Sequence, residues 1–105
     1  MKWESDTIGK DCINLNTTLA RWLSIRLQFL GDNASGWPLV TDKEETQEEY
    51  DRHYRNWRIE LLDTAKALKD YADADGNFDT EYEIRTERVQ KAMQWVADNF
   101  TNLWD

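Results

Sequence analysis

From Tyr50 onward the apolar or neutral residues fall at positions 50, 54, 57, 61, 64, 68 and 71, an alternation of four and three that leaves few folds open. Tyr50, Tyr54, Trp57, Leu61, Thr64, Leu68 and Tyr71 then share one face of a helix of about 30 residues, about 45 Å long at 1.5 Å per residue. Leu62, Ala65 and Ala72 broaden the stripe toward its C-terminal half. The same spacing returns at Tyr82, Thr86, Val89, Met93, Val96, Phe100 and Leu103. Between the stripes, Asp73-Ala-Asp-Gly-Asn-Phe-Asp79 breaks the pattern, and Gly76 or Asn77 supplies a left-handed stop. Two long helices joined so briefly run antiparallel.

A shorter helix precedes this hairpin. Asn14 or Asn16 is placed to cap it, Thr17, Leu19, Trp22, Leu23, Leu27 and Leu30 run along it, and Gly31 is placed to stop it. Ile25 and Phe29 widen its apolar face and leave mainly Arg21, Ser24 and Gln28 for water. This helix is therefore expected to be the most buried of the three, packed across the seam of the hairpin. Gly31-Asp-Asn-Ala-Ser-Gly36-Trp37-Pro38 is turn chemistry throughout. Thr41 with Glu44 has capping-box spacing and places the start of the second helix near residue 42; Thr80 with Glu83 repeats it for the third. No window of five or more residues alternates as a strand would. The expectation is an all-α, single-domain chain over 1–105: a three-helix bundle of two long antiparallel helices plus one shorter helix. An irregular arm occupies 1–13, and the helices span about 14–30, 42–75 and 80–103. A coiled-coil homodimer through the two long stripes is the structural alternative.

Thirteen Lys and Arg against twenty-one Asp and Glu give a net charge of -8, which argues against binding a phosphate backbone or an anionic membrane surface. Residues 1–40 hold four bases and four acids, so the whole excess belongs to residues 41–105. Cys12 is the only cysteine, which excludes an intrachain disulfide and a cysteine-based zinc site and reads as a small buried hydrophobe. A reducing, cytoplasmic setting fits. No basic start followed by an apolar run and no apolar stretch of about 18 residues is present, so neither a signal peptide nor a membrane span is expected.

Catalytic constellations are sparse. His53 is the only histidine, and its helical neighbours Glu49, Tyr50, Asn56 and Trp57 include no nucleophile; pairing with Glu49 on the helix flank is the simpler reading. The di-iron Glu-x-x-His pairs are absent. The loop from Asp73 to Glu81 alternates oxygen ligands, but setting Gly76 at the sixth position of an EF-hand puts Tyr71 first and Tyr82 twelfth, where carboxylates are required. Glu45-x-x-Glu48 and Glu60-x-x-Asp63 have the spacing with which all-helical nucleoside triphosphate pyrophosphatases chelate magnesium. On one continuous helix, however, Glu48 and Glu60 stand about 18 Å apart. No cofactor and no metal is expected; a magnesium-dependent pyrophosphatase-like enzyme is the catalytic alternative, on condition that the helix breaks between the two pairs.

Surfaces are more informative. Of the six tryptophans, Trp22 and Trp57 sit on or beside apolar stripes and are assigned to the core, while Trp37 in a loop and Trp104 at the chain end are candidates for contact with a partner or for capping the bundle ends. One acidic cluster, from Asp42 to Asp51, is partly neutralised along its helix by Arg52, Arg55 and Arg58. The other, Asp70, Asp73, Asp75, Asp79, Glu81 and Glu83, has no base among its members. A solvated face is its ordinary reading; the sharper one is a phosphate-like surface that occupies the basic groove of a nucleic-acid-binding protein.

Leu15-Asn-Thr-Thr-Leu-Ala-Arg-Trp-Leu leading to Arg26-Leu27, then Gly36-Trp-Pro38, then Trp57 with Leu61, and finally Phe100-x-x-Leu103-Trp104-Asp105 resemble a family of small tailed-phage proteins. That family has Gly-Tyr-Pro where this chain has Gly-Trp-Pro, and a shorter junction between turn and helix. The resemblance implies a mobile-element origin, hence the host cytoplasm as the setting, and carries over no catalytic residue. The functional expectation is a non-enzymatic acidic protein that binds, and in one form inhibits, a host nucleic-acid-binding or defence protein through Asp70, Asp73, Asp75, Asp79, Glu81, Glu83, Trp37 and Trp104. A structural or oligomeric building block is the remaining class.

Overall fold

The structure is a computed structural model that describes residues 12–34, 46–74 and 77–104. These form α1 (Leu15–Asn33), α2 (Gln47–Ala74), α3 (Tyr82–Asp98) and a 3-10 turn (Phe100–Asn102), with no strand among the described residues. The fold is an all-α three-helix bundle. The N-terminal arm through Asp11, the Trp37 turn, the Thr41–Glu44 capping box, Asp75 and Gly76 lie outside the described residues.

α2 is the axis on which the other two helices pack. Both run antiparallel to it. On one side, Asn16 near the start of α1 donates to the Tyr71 hydroxyl near the end of α2 at 2.6 Å, and Arg58 in the first half of α2 donates to the Gly31 carbonyl near the end of α1 at 2.9 Å. On the other, Arg88 meets Asp70 at 3.3 Å and the Trp57 and Trp95 rings lie 5.4 Å apart. α1 thus lies along α2 rather than across the seam between α2 and α3.

The stripe read from the sequence of α2 is the buried one: Trp57, Leu61, Thr64 and Leu68 are buried and Tyr50, Tyr54 and Tyr71 half-buried. Leu61 and Leu68 are fully enclosed, the two largest side chains so placed. Thr46 caps the helix by accepting the Glu49 N–H at 3.1 Å, and the helix begins at Gln47, later than the expected start near 42. In α3 the stripe is rotated. Ala92 and Val96 are buried with Val89, Trp95 and Leu103 packed against the core, whereas Met93 and Phe100 are exposed. The helix starts at Tyr82 and ends at Asp98, where the backbone tightens into the 3-10 turn. Thr80 does not cap it: Glu81 holds the cap position without a side-chain cap bond, and Asp79 accepts the Glu81 N–H at 3.0 Å.

α1 departs most from expectation. It is not the most buried helix, because it packs on its small-residue side: Ala20, Ser24, Leu27 and Gly31, spaced four, three and four, are its buried residues. Small side chains let the two backbones approach closely. A Cβ on Gly31 would stand 2.8 Å from Leu62 Cδ2 and 3.3 Å from Leu61 Cβ. Ser24, expected in water, is buried with its hydroxyl bonded to the Arg21 carbonyl at 2.8 Å. Gly31 does not stop the helix, which runs on to Asn33 because α2 satisfies its terminal carbonyls: Arg58 binds Gly31 O and the Tyr54 hydroxyl binds Ala34 O at 2.5 Å. At the other end Asn14 occupies the cap position in the left-handed region, with φ 56° and no side-chain cap bond. The bulky residues of α1 therefore face outward: Trp22 is 51% exposed, not core, and Cys12 is exposed, not buried.

The close approach makes a test. Gly31→Leu is expected to cost about 2–3 kcal/mol in urea unfolding by overpacking, and Leu61→Ala about 3 kcal/mol by leaving a cavity. Wild-type stability in Gly31→Leu would show that α1 does not depend on contact at Gly31.

Candidate functional site

The acids around the hairpin turn acquire cations when the chain folds. Asp70 accepts from Lys66 Nζ at 3.0 Å and from Arg88 Nη1 at 3.3 Å. Asp73 accepts from Lys69 Nζ at 2.7 Å and from Arg21 Nη1 of α1 at 3.2 Å, and Arg21 also donates to Ala72 O at 3.1 Å. Asp79 receives both Nη atoms of Arg85, at 2.9 and 3.3 Å, while the same guanidinium donates to Asn77 O at 3.0 Å. The Glu81 carboxylate lies 3.9 Å from Arg85, and Glu83 is exposed in the first turn of α3. Five of the six expected cluster acids, all but Asp75, are described, and five cations stand among them. Asp70, Asp73 and Asp79 are thus paired, which reduces the negative charge presented by the described part of the turn.

These contacts shift protonation. The hydrogen bond from Lys69, followed by the neighbouring positive charges, holds the Asp73 carboxyl below the usual carboxylate range against an opposing desolvation. The same bond raises Lys69. Asp79 is lowered chiefly by its hydrogen bond from Arg85.

A second surface was not expected. The outward side of α1 and the C-terminal segment border a groove of about 930 Å³ lined by Trp22, Ile25, Arg26, Phe29, Phe100 and Trp104, with Leu23, Leu27, Leu30, Thr101 and Leu103 at its base and ends. Phe29, Phe100 and Trp104 are 67%, 71% and 73% exposed. The Arg26 guanidinium lies over the Trp22 ring, 3.8 Å from its centroid, and also donates to Trp22 O at 3.2 Å. Apolar patches beyond a few hundred Å² are uncommon on a monomer and mark contact sites. Trp104, a candidate from the sequence, belongs to this groove; Trp37 lies outside the described residues. The sequence reading missed Ile25, Phe29 and Phe100. The available signal was the second stripe of α1, Ala20-Ser24-Leu27-Gly31, which offered the hairpin a narrower contact face than the bulky side does.

The catalytic alternative required a break between Glu48 and Glu60. α2 runs unbroken from Gln47 to Ala74, which keeps the two about 18 Å apart along its axis. Glu60 and Asp63 border a shallow groove together with Lys66, Arg88, Lys91 and Trp95. Among the described residues no group of three or more His, Cys, Asp or Glu is arranged to hold a metal ion, and no helix is long and apolar enough to cross a membrane. His53 is half-buried on α2. Comparisons with protein-family models, with curated proteins and with solved structures return no match.

Because the folded state lowers the Asp73 and Asp79 pKa values, their pairs stabilise the protein above the ordinary carboxylate range and cease to do so as pH falls through the folded values. The thermal midpoint is therefore expected to drop as pH falls below the ordinary carboxylate range. Asp79→Asn should flatten that dependence; an unchanged slope would remove Arg85–Asp79 from the balance.

Proposed function

We propose that this chain is a non-enzymatic interaction protein whose contact surface is the outward face of α1 together with Phe100 and Trp104. The observation that carries the reading is the convergence of Trp22, Ile25, Phe29, Phe100 and Trp104 on one exposed groove in a chain whose charged residues lie mainly elsewhere. Aromatic side chains supply large contact area at small entropic cost, and clusters of them are the usual anchors of protein interfaces. The Arg26–Trp22 stack adds a cation to that anchor.

The net charge of -8 plays a supporting part, steering positively charged partners toward the molecule over a range of about one Debye length. In a chain of mobile-element origin, blocking a host nucleic-acid-binding or defence protein is one form this contact takes. The pyrophosphatase-like alternative loses ground because Glu48, Glu60 and Asp63 lie on one unbroken helix.

Tagged protein incubated in lysate of the producing cell tests the surface. Capture of the bound protein, whether another chain or another copy, is expected to disappear with Phe29→Asp or Trp104→Ser and to survive the charge reversals Asp73→Lys and Glu81→Lys. The opposite pattern, loss on charge reversal and retention with Phe29→Asp, would transfer the contact to the acidic hairpin turn.

A further inference from the structure

The geometry points to a second copy of this chain as the occupant of the outward face of α1, docked antiparallel about a two-fold axis at Trp22. This rests on the reading that the face is a contact surface. A two-fold interface must be self-complementary: if residue i of one copy touches residue j of the other, j also touches i. The outward face of α1 has that symmetry written along it. Leu15, Leu19, Trp22, Ile25 and Phe29 follow one another at intervals of four, three, three and four, the same from either end. All five are exposed, between 43% and 67%. Centring two antiparallel α1 helices on Trp22 sets Leu15 against Phe29, Leu19 against Ile25 and Trp22 against its own equivalent.

Charge favours the same arrangement. Arg26, beside Trp22 and Phe29 in this row, would face Thr18 in antiparallel pairing, whereas parallel pairing sets Arg26 against Arg26; Asp32, one turn beyond Phe29, would oppose position 12, before the other copy's helix begins. Asp32 is the only acid of α1, and the excess negative charge belongs to residues 41–105. Two copies thus meet on the neutral part of the chain, where mutual repulsion is least. The area is sufficient as well. With Phe100 and Trp104 at its flank, the face exposes on the order of 800 Å² of apolar and aromatic side chain per copy, the share that each partner contributes to a standard stable interface.

Sedimentation equilibrium on the full chain, with circular dichroism as a check on folding, is the test. Wild type is expected to be dimeric at micromolar concentration. Ile25→Glu, at an exposed position, should keep its helical spectrum while the dimer weakens by roughly 100-fold, because the new carboxylate is forced against Leu19 of the other copy. Adding Leu19→Lys to Ile25→Glu should restore the dimer, since the introduced charges oppose one another across an antiparallel axis and would meet their like in a parallel pair. A wild-type monomer at high micromolar concentration, or an Ile25→Glu protein as dimeric as wild type, overturns the proposal, and a double variant that stays monomeric overturns the register at Trp22. Should wild type be monomeric while another protein is captured in a Phe29-dependent way, the second copy is excluded and the contact surface stands.

Discussion

The fold depends on how closely α1 can approach α2. Three small residues and one leucine, Ala20, Ser24, Leu27 and Gly31, form the face that makes the contact, and at Gly31 a further carbon would press on the Leu62 side chain and stand 3.3 Å from Leu61 Cβ. That approach brings Arg58 and Tyr54 within reach of the last carbonyls of α1, so the helix continues through the glycine that would otherwise end it. It also decides the orientation of everything else on α1. Once the narrow side is turned inward, Trp22, Ile25 and Phe29 have only the outside left to them.

Electrostatics follow from the same assembly. Arg21 of α1 and Arg88 of α3 reach α2 from opposite sides and end on Asp73 and Asp70. Arg85 folds back over the turn and holds Asp79 and the Asn77 carbonyl together, with its side chain only 12% exposed. Each of these pairs is modest where water can screen it. Arg85 is the exception in kind, since a largely enclosed guanidinium with three bonds to one turn fixes the shape of that turn.

The long stripe of α2 was legible from spacing because this helix is flanked on two sides, and a wide buried face tolerates small errors of phase. The stripe of α3 was less so: it meets a single neighbour, and Ala92 and Arg85 take inward positions where Met93 and Phe100 were expected. Helix starts were the weakest part, since Thr46 was as plausible a cap as Thr41 on composition alone and α3 starts at Tyr82 without a side-chain cap. α1 was misread for a physical reason. A helix apolar around most of its circumference does not declare which side packs, and hydrophobicity pointed to the bulky side when shape complementarity selected the small one. The pairing of the acidic turn was not legible from its own segment, because Arg21, which meets Asp73, lies 52 positions distant.

One consequence of the two-sided α1 concerns the growing chain. Residues 15–33 are complete before any of α2 has been made, so for a time both the narrow face and the bulky face are without a covering surface. Arrival of α2 conceals only the first. The second remains exposed in the finished molecule, so contacts made there, of whatever kind, depend on the concentration of the protein as much as on its sequence.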